Sequence, residues 1–218
     1  MCGRYVTRDQ AAIERYFNIS SHQFRLTDRY NVAPSTTVPV VRSIDGERIM
    51  SGMHWGLIPS WAKDKKIAYK TINARAETVA TKPAFRAAYK VRRCLIPVSG
   101  FYEWKRDVEP KQPHFIHKRD GSPLAFAGLW ETWKGADETV ESCTIVTTEA
   151  NEMMAELHSR MPVILDPPDF DWWMTGKAEE VGQLLAPCPS ENLEDYPISR
   201  RVNNPRNEGQ EIVEPVDS

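Results

Sequence analysis

The sequence predicts an α+β fold: one domain of mixed, mainly antiparallel short strands with helices at the periphery. Three observations lead there. Asp45-Gly46 and Asp120-Gly121 each separate two apolar runs, which is the signal of a β-hairpin. The apolar runs are short and show none of the regular β-α alternation that a doubly wound sheet needs. The 16 prolines fall mostly at the edges of these runs, as expected of many short strands joined by turns.

Taken in chain order, CGRYV reads as a strand. Thr7-Arg8-Asp9-Gln10 then matches the S/T-x-x-E/Q capping box and leads into a helix over AAIERYF. Residues 38–43 and 47–55 flank the first Asp-Gly turn, and HFIHK and LAFAGLW flank the second. Between these hairpins, Asn73 to Thr81 and Pro83 to Lys90 read as short helices, with strands at CLIPV and FYEWK. SCTIVTT reads as a buried strand, NEMMAEL as a helix and PVIL as a strand, while DFDWWM and EEVGQLL read as further helices. The stretch after Val202 is polar and expected to be irregular, a tail from about residue 205. With 218 residues and no internal repeat or low-complexity linker, residues 1–218 are expected to form a single domain with its own core.

Composition excludes several classes. With 41% hydrophobic and 27% charged residues the chain has the balance of a soluble globular protein, and no apolar run approaches the ~20 residues of a membrane span. MCGRYVTRDQ has no apolar stretch or small-residue cleavage site, so a cytoplasmic location is expected. The four cysteines, Cys2, Cys94, Cys143 and Cys188, form no CxxC pair, which argues against a zinc cage or a disulfide framework. His114 and His117 point to opposite faces of a strand-like run, and no Walker or GxGxxG pattern is present, so neither metal nor nucleotide cofactor is expected. Net charge is only −2, but residues 1–130 carry 22 Lys and Arg against 11 Asp and Glu, and the remainder 6 against 19. That asymmetry fits a basic face for a polyanion, or two halves that attract each other.

The chemistry concentrates at Cys2. Removal of Met1 would leave a 1,2-aminothiol, an α-amine and a thiol on one residue. An α-amine with a pKa of about 7.7–8.0 is partly neutral near physiological pH and condenses with aldehydes. The thiol can then close a five-membered thiazolidine ring, an intramolecular step with high effective concentration. A small cysteine buried at the start of a strand is the structural alternative. Gly3 lets a ligand or backbone approach closely, and Arg4 shares a strand face with Cys2, where it could hold a phosphate.

MCGRY, YNVAPS at 30–35, HWGLIPSWA at 54–62, INARAET at 72–78, GFYEW at 100–104, HSRMPVIL at 158–165 and ISRRVNN at 198–204 span nearly the whole chain. In this order, they resemble the SOS response-associated peptidase (SRAP) family. The resemblance implies a protein that crosslinks itself to abasic sites in single-stranded DNA and shields them, through the cysteine after the initiator methionine. It also implies an SRAP-like fold, a role in the DNA damage response, and abasic-site lyase and N-terminal autoprocessing as companion activities. A monomer that meets replication-fork proteins is expected.

The same resemblance assigns the supporting residues. Asn73 matches the active-site asparagine; its amide both donates and accepts hydrogen bonds, although as a local feature it reads as a helix cap. Glu103 matches a catalytic acid, and alternation puts it on one strand face with Phe101 and Lys105, away from Tyr102 and Trp104. Its bland reading is a solvated edge-strand glutamate paired with Lys105. His158 matches a proton-transfer histidine; locally it would simply complement a helix C-terminus, and Ser159 stands where many relatives have an acidic residue. Arg4, Arg75 and Arg160 are candidate phosphate contacts, Trp61 a stacking face and Pro34 a wedge beside the missing base. Thr147 and Thr148 are candidates for hydrogen bonds to backbone or phosphate. Two rival readings remain open. Glutamine amidotransferases with an N-terminal nucleophile also begin Met-Cys-Gly, although Arg4 replaces their usual aliphatic residue and no HRGPDS-like segment is present. A noncovalent single-strand binder would leave Cys2 incidental.

Overall fold

The computed structural model describes residues 2–105 and 108–216. The chain begins with β1 (Tyr5–Thr7), α1 (Gln10–Phe17), β2 (Ser21–His22) and β3 (Arg29–Val32). Next come β4 (Thr37–Ile44), β5 (Glu47–Trp55), β6 (Asn73–Arg75), α2 (Arg86–Val91), β7 (Arg93–Val98) and β8 (Gly100–Lys105). The second half holds β9 (Gln112–Lys118), β10 (Leu124–Lys134), β11 (Thr139–Glu149), α3 (Glu152–Ala155) and β12 (Arg160–Pro162). It continues through β13 (Ile164–Leu165) and α4 (Phe170–Thr175) to β14 (Leu193–Pro197).

Strands β7, β4, β5, β11 and β10 pair in a ring, because β11 joins both β10 and, in parallel, β5. The sheet therefore closes into a barrel. A second sheet, in the order β14-β9-β8-β1-β3, is antiparallel throughout. Its inner-facing Tyr5, Phe101 and Ile116 merge with Val40, Trp55, Ile96, Phe126 and Ile145 of the barrel strands into one buried cluster that also contains Cys2. Full burial of each large apolar side chain there contributes about 1.5–3 kcal/mol. Helices α1, α2 and α4 lie on another cluster, where Phe17 of α1 stacks on Phe170 of α4 with ring centroids 5.2 Å apart. The expected α+β architecture of short, mainly antiparallel strands with peripheral helices is the one found.

Local chemistry explains which element expectations hold. Asp45 and Gly46 both take positive φ, 52° and 84°, the geometry that lets a two-residue turn follow strand twist, and β4 and β5 pair across it from Ile44↔Glu47 onward. The second Asp-Gly turn does not make a hairpin. Asp120 caps its own turn by accepting from Ser122, but β9 pairs with β8 and β14 whereas β10 pairs with β7, β11 and β13. This turn carries the chain from one sheet to the other. Helix α1 starts where expected, yet its cap is Asp9, which accepts from the Ala12 amide at 3.0 Å; Thr7 is buried in β1 instead. Residues 73–75 form a strand parallel to β11, followed by a single 3₁₀ turn at Ala76–Thr78, in place of the helix expected over 73–81. Within the tail, Ile212 and Val213 are buried against Val6 and Tyr102, so that segment packs as part of the core.

Candidate active site

Backbone pairing carries Cys2 to its place. The Ser99 amide donates to Val6 O at 2.8 Å and the Tyr102 amide to Arg4 O at 3.1 Å, which fastens residues 4–6 alongside β8. Cys2, just upstream, is fully buried in the apolar cluster shared by the two sheets. Burial pushes its thiol well above the ordinary cysteine range, and the nearby Glu103 carboxylate pushes it further. Burial alone would suit an inert cysteine. Polar side chains approach it as well, Asn73 by a hydrogen bond and Glu103 by its charge. Met1, whose removal the chemistry needs, lies outside the described residues.

Asn73 sits on β6 opposite Ile145, and its Nδ2 donates to the carbonyl oxygen of Cys2 at 2.9 Å. The amide therefore holds Cys2 and is not a helix cap. Its Oδ1 is buried and accepts no hydrogen bond among the described residues, an unmet acceptor that costs about 1–3 kcal/mol when no donor reaches it. Glu103 lies in β8 between β1 and β9, opposite His114, and is only 3% exposed. An interior strand replaces the solvated edge of the bland reading. Alternation works as expected: Phe101 faces the Cys2 cluster, whereas Tyr102 packs in the cluster on the opposite face of the sheet.

His158 follows α3, its amide donating to Met154 O at 2.8 Å. The ring is largely buried, and Nδ1 accepts the Arg160 amide at 2.9 Å, which fixes the neutral ring as the Nε2–H tautomer. Met154, Leu157 and Met161, which bracket His158, belong to the same apolar cluster as Cys2. The fold thus joins Asn73 to Cys2 by a hydrogen bond, brings the Glu103 carboxylate near enough for its charge to act on the Cys2 thiol, and carries the His158 segment to the same apolar cluster.

The remaining candidates fall into distinct settings. Arg4 donates through Nη1 to Asn31 Oδ1 at 2.7 Å and Val202 O at 2.8 Å, and burial lowers its pKa. Arg75 is exposed at the end of β6. Arg160 is engaged by the Glu77 carboxylate and by Thr147 O. Trp61 is 59% exposed with its Nε1 donating to Pro83 O, and Pro34 is half-exposed in the turn after β3. Thr147 and Thr148 are buried, and both hydroxyls donate to backbone carbonyls, of Ala74 and Leu185. Among the described residues no group of three or more His, Cys, Asp or Glu is placed to hold a metal ion, and no helix is long and apolar enough to cross a membrane. Two residues that sequence reasoning passed over are Asn31 and Glu77. The only sequence signal was their place inside the YNVAPS and INARAET blocks.

Comparison with known proteins gives the relationship. The chain is 40% identical to the abasic site processing protein YoaM of Bacillus subtilis across 98% of both chains. It is 32% identical to the abasic site processing protein YedK of Escherichia coli, covering 86% of this chain and 85% of that one. Among solved structures, a Bacteroides thetaiotaomicron protein superposes with a TM-score of 0.80 at 28% identity, over 96% of this chain and 92% of its own. Residues 1–205 match the family described as SOS response associated peptidase (SRAP). A match over so much of the chain, with a nearly full-length relative at 40% identity, makes this protein a member of the SOS response associated peptidase family.

Proposed function

We propose that this protein senses abasic sites in single-stranded DNA and bonds to them covalently through Cys2, shielding the lesion during the response to DNA damage. The observation that carries this reading is the Asn73 bond to the Cys2 carbonyl beside a buried Glu103. An inert core cysteine needs no such polar company. The names of the relatives, abasic site processing proteins, supply the substrate.

Hydrolysis of the Met1–Cys2 peptide bond exposes the α-amine. The amine attacks C1′ of the ring-opened sugar aldehyde, and loss of one water leaves an imine. The thiol then adds across C=N, sulfur to carbon and proton to nitrogen, closing the thiazolidine. Burial favours the protonated thiol, and adding S–H across C=N balances with that proton on nitrogen. In this reading Glu103 protonates the departing oxygen and His158 moves the proton that opens the sugar hemiacetal. Asn73 Oδ1 accepts from the new amine, which satisfies its unmet capacity.

The DNA track is assigned to Arg4, Arg75 and Arg160, with Trp61 stacking on a base and Pro34 beside the gap. Arg4 suits this because Nη1 anchors the guanidinium on Asn31 and Val202, and a guanidinium held at one nitrogen can offer its Nε–Nη2 edge to a phosphate. Thr147 and Thr148 support the track through their backbone bonds. Lyase activity, removal of Met1 by the protein itself, action as a monomer, encounters with replication-fork proteins and a cytoplasmic, DNA-associated location belong to the same proposal. The test is a denaturing gel of purified protein with single-stranded DNA carrying one abasic site. A covalent shift abolished by Cys2→Ala is expected. Equal adduct from the alanine variant overturns the cysteine mechanism, and glutaminase turnover without adduct would favour the amidotransferase reading.

A further inference from the structure

Arg75 ends β6, Glu77 lies in the 3₁₀ turn that follows, and Arg160 begins β12. Both strands flank β11: Thr147 is the partner of Arg75 on one side and of Pro162 on the other. Glu77 pairs with Arg160 and feels the charge of Arg75. Arg160 holds it as a phosphate would be held. Both terminal nitrogens of Arg160 meet the Glu77 carboxylate, Nη2 at 3.0 Å from Oε2 and Nη1 at Oε1, while Nη2 also donates to Thr147 O at 2.6 Å. The Nε is buried without a partner among the described residues. The paired donors that match a planar carboxylate or a phosphate are thus already occupied by a carboxylate.

Exposure tells which partner can move. The Glu77 side chain is 53% exposed and the Arg160 side chain 18%, so the acid can swing into solvent while the guanidinium stays anchored on Thr147. The Glu77 carboxyl is held below its ordinary value by the Arg160 bond first and by the charges of Arg160 and Arg75 after that, so both arginines act on it.

We infer that Glu77 is an internal stand-in for a DNA phosphate: it fills the Arg160 fork in the free protein, is displaced as a strand docks, and so restrains binding to undamaged DNA. This rests on the proposal that Arg160 contacts the DNA backbone. A strand without an aldehyde must win the competition by noncovalent contacts alone. A strand with one is retained by the covalent bond whatever the competitor. Glu77 therefore acts on specificity.

The experiment measures anisotropy of a labelled, undamaged single strand at fixed salt with wild type, Glu77→Gln, Glu77→Asp, Arg160→Ala and the Glu77→Gln/Arg160→Ala double variant. Glu77→Gln is expected to bind about twofold to fivefold more tightly, the scale of one partly exposed ion pair. Glu77→Asp should fall between it and wild type, and the gain should vanish in the double variant. Unchanged or weaker binding by Glu77→Gln, with Arg160→Ala still weakening binding, overturns the stand-in alone. Unchanged binding by Arg160→Ala overturns the phosphate contact beneath it. Melting curves of each variant confirm that folded proteins are compared.

Discussion

Asn31 receives Nη1 of Arg4 on its carboxamide oxygen at 2.7 Å, while its Nδ2 meets the carbonyls of Val202, Asn204 and Asn207 at 3.2, 3.0 and 2.9 Å. One fully buried side chain thereby fastens residues 202–207 to the segment that leads to Cys2. Asn31→Ala would take the donor from Asn207 O, strip one of two donors from Val202 O and Asn204 O, which keep Arg4 Nη1 and the Asn207 amide, and remove one acceptor of Arg4 Nη1. A loss of roughly 2–4 kcal/mol is expected, because unsatisfied buried polar groups each carry a desolvation cost. Urea unfolding measures it. A variant as stable as wild type would show that solvent replaces Asn31 at no cost.

The bond between Asn73 and Cys2 leads to a second expectation. Asn73→Ala removes both the donor to the Cys2 carbonyl and the acceptor waiting at Oδ1. Loss of one net hydrogen bond of about 0.5–1.5 kcal/mol at each stage slows crosslinking by roughly tenfold or more. Asn73→Asp keeps an acceptor but has no amide donor. It should recover less than half of the lost rate, read as initial adduct formation on single-stranded abasic DNA. Wild-type rates from both variants would remove Asn73 from the mechanism.

The way these residues meet also explains what the sequence could disclose. The Asp45-Gly46 hairpin is legible because its turn chemistry and its pairing lie within a few residues. Asp120-Gly121 has the same chemistry, but which strands β9 and β10 adopt as neighbours is decided by β8, β14, β7 and β11, all distant in sequence. Asn73 misleads for the same reason: its pairing with Ile145 overrides a local preference for helix. The cap falls on Asp9 and not on Thr7 because pairing in β1 claims Thr7. Cys2 stands out as a candidate from its position after Met1 alone. The occupation of Arg160 by Glu77 does not, because it needs β6, β11 and β12 assembled.

Buried thiols set an alkaline limit. Cys94 and Cys143 are fully buried, and burial raises both above the ordinary value of 9.0. The unfolded chain releases these protons above about pH 9, whereas the folded protein retains them. The folded state then binds more protons, so stability falls as pH rises. The contribution is fully present below the unfolded value and is lost as pH climbs toward the folded one. Urea midpoints should hold steady near neutrality and decline from about pH 8.5 upward. Cys143→Val, with no proton to release, should show a shallower decline. Equal slopes for the two proteins would assign the alkaline loss to other groups.

His158 offers the sharpest separation of structure from chemistry. Its Nδ1 accepts the Arg160 amide at 2.9 Å, so the neutral ring presents the Nε2 proton and a doubly protonated ring gives up that bond. His158→Asn can place Oδ1 near the Nδ1 position and keep the backbone contact, but it has no group that exchanges a proton near neutrality. His158→Ala loses both. If the histidine moves a proton in sugar opening, both variants slow adduct formation by about 10²-fold or more, the scale of general acid–base catalysis. Asn should restore stability without restoring rate. If its role is to hold the turn before β12, the asparagine variant recovers rate along with stability. Crosslinking time courses and melting curves on the two variants decide between these outcomes, because only a proton-transfer role leaves the asparagine variant stable and slow.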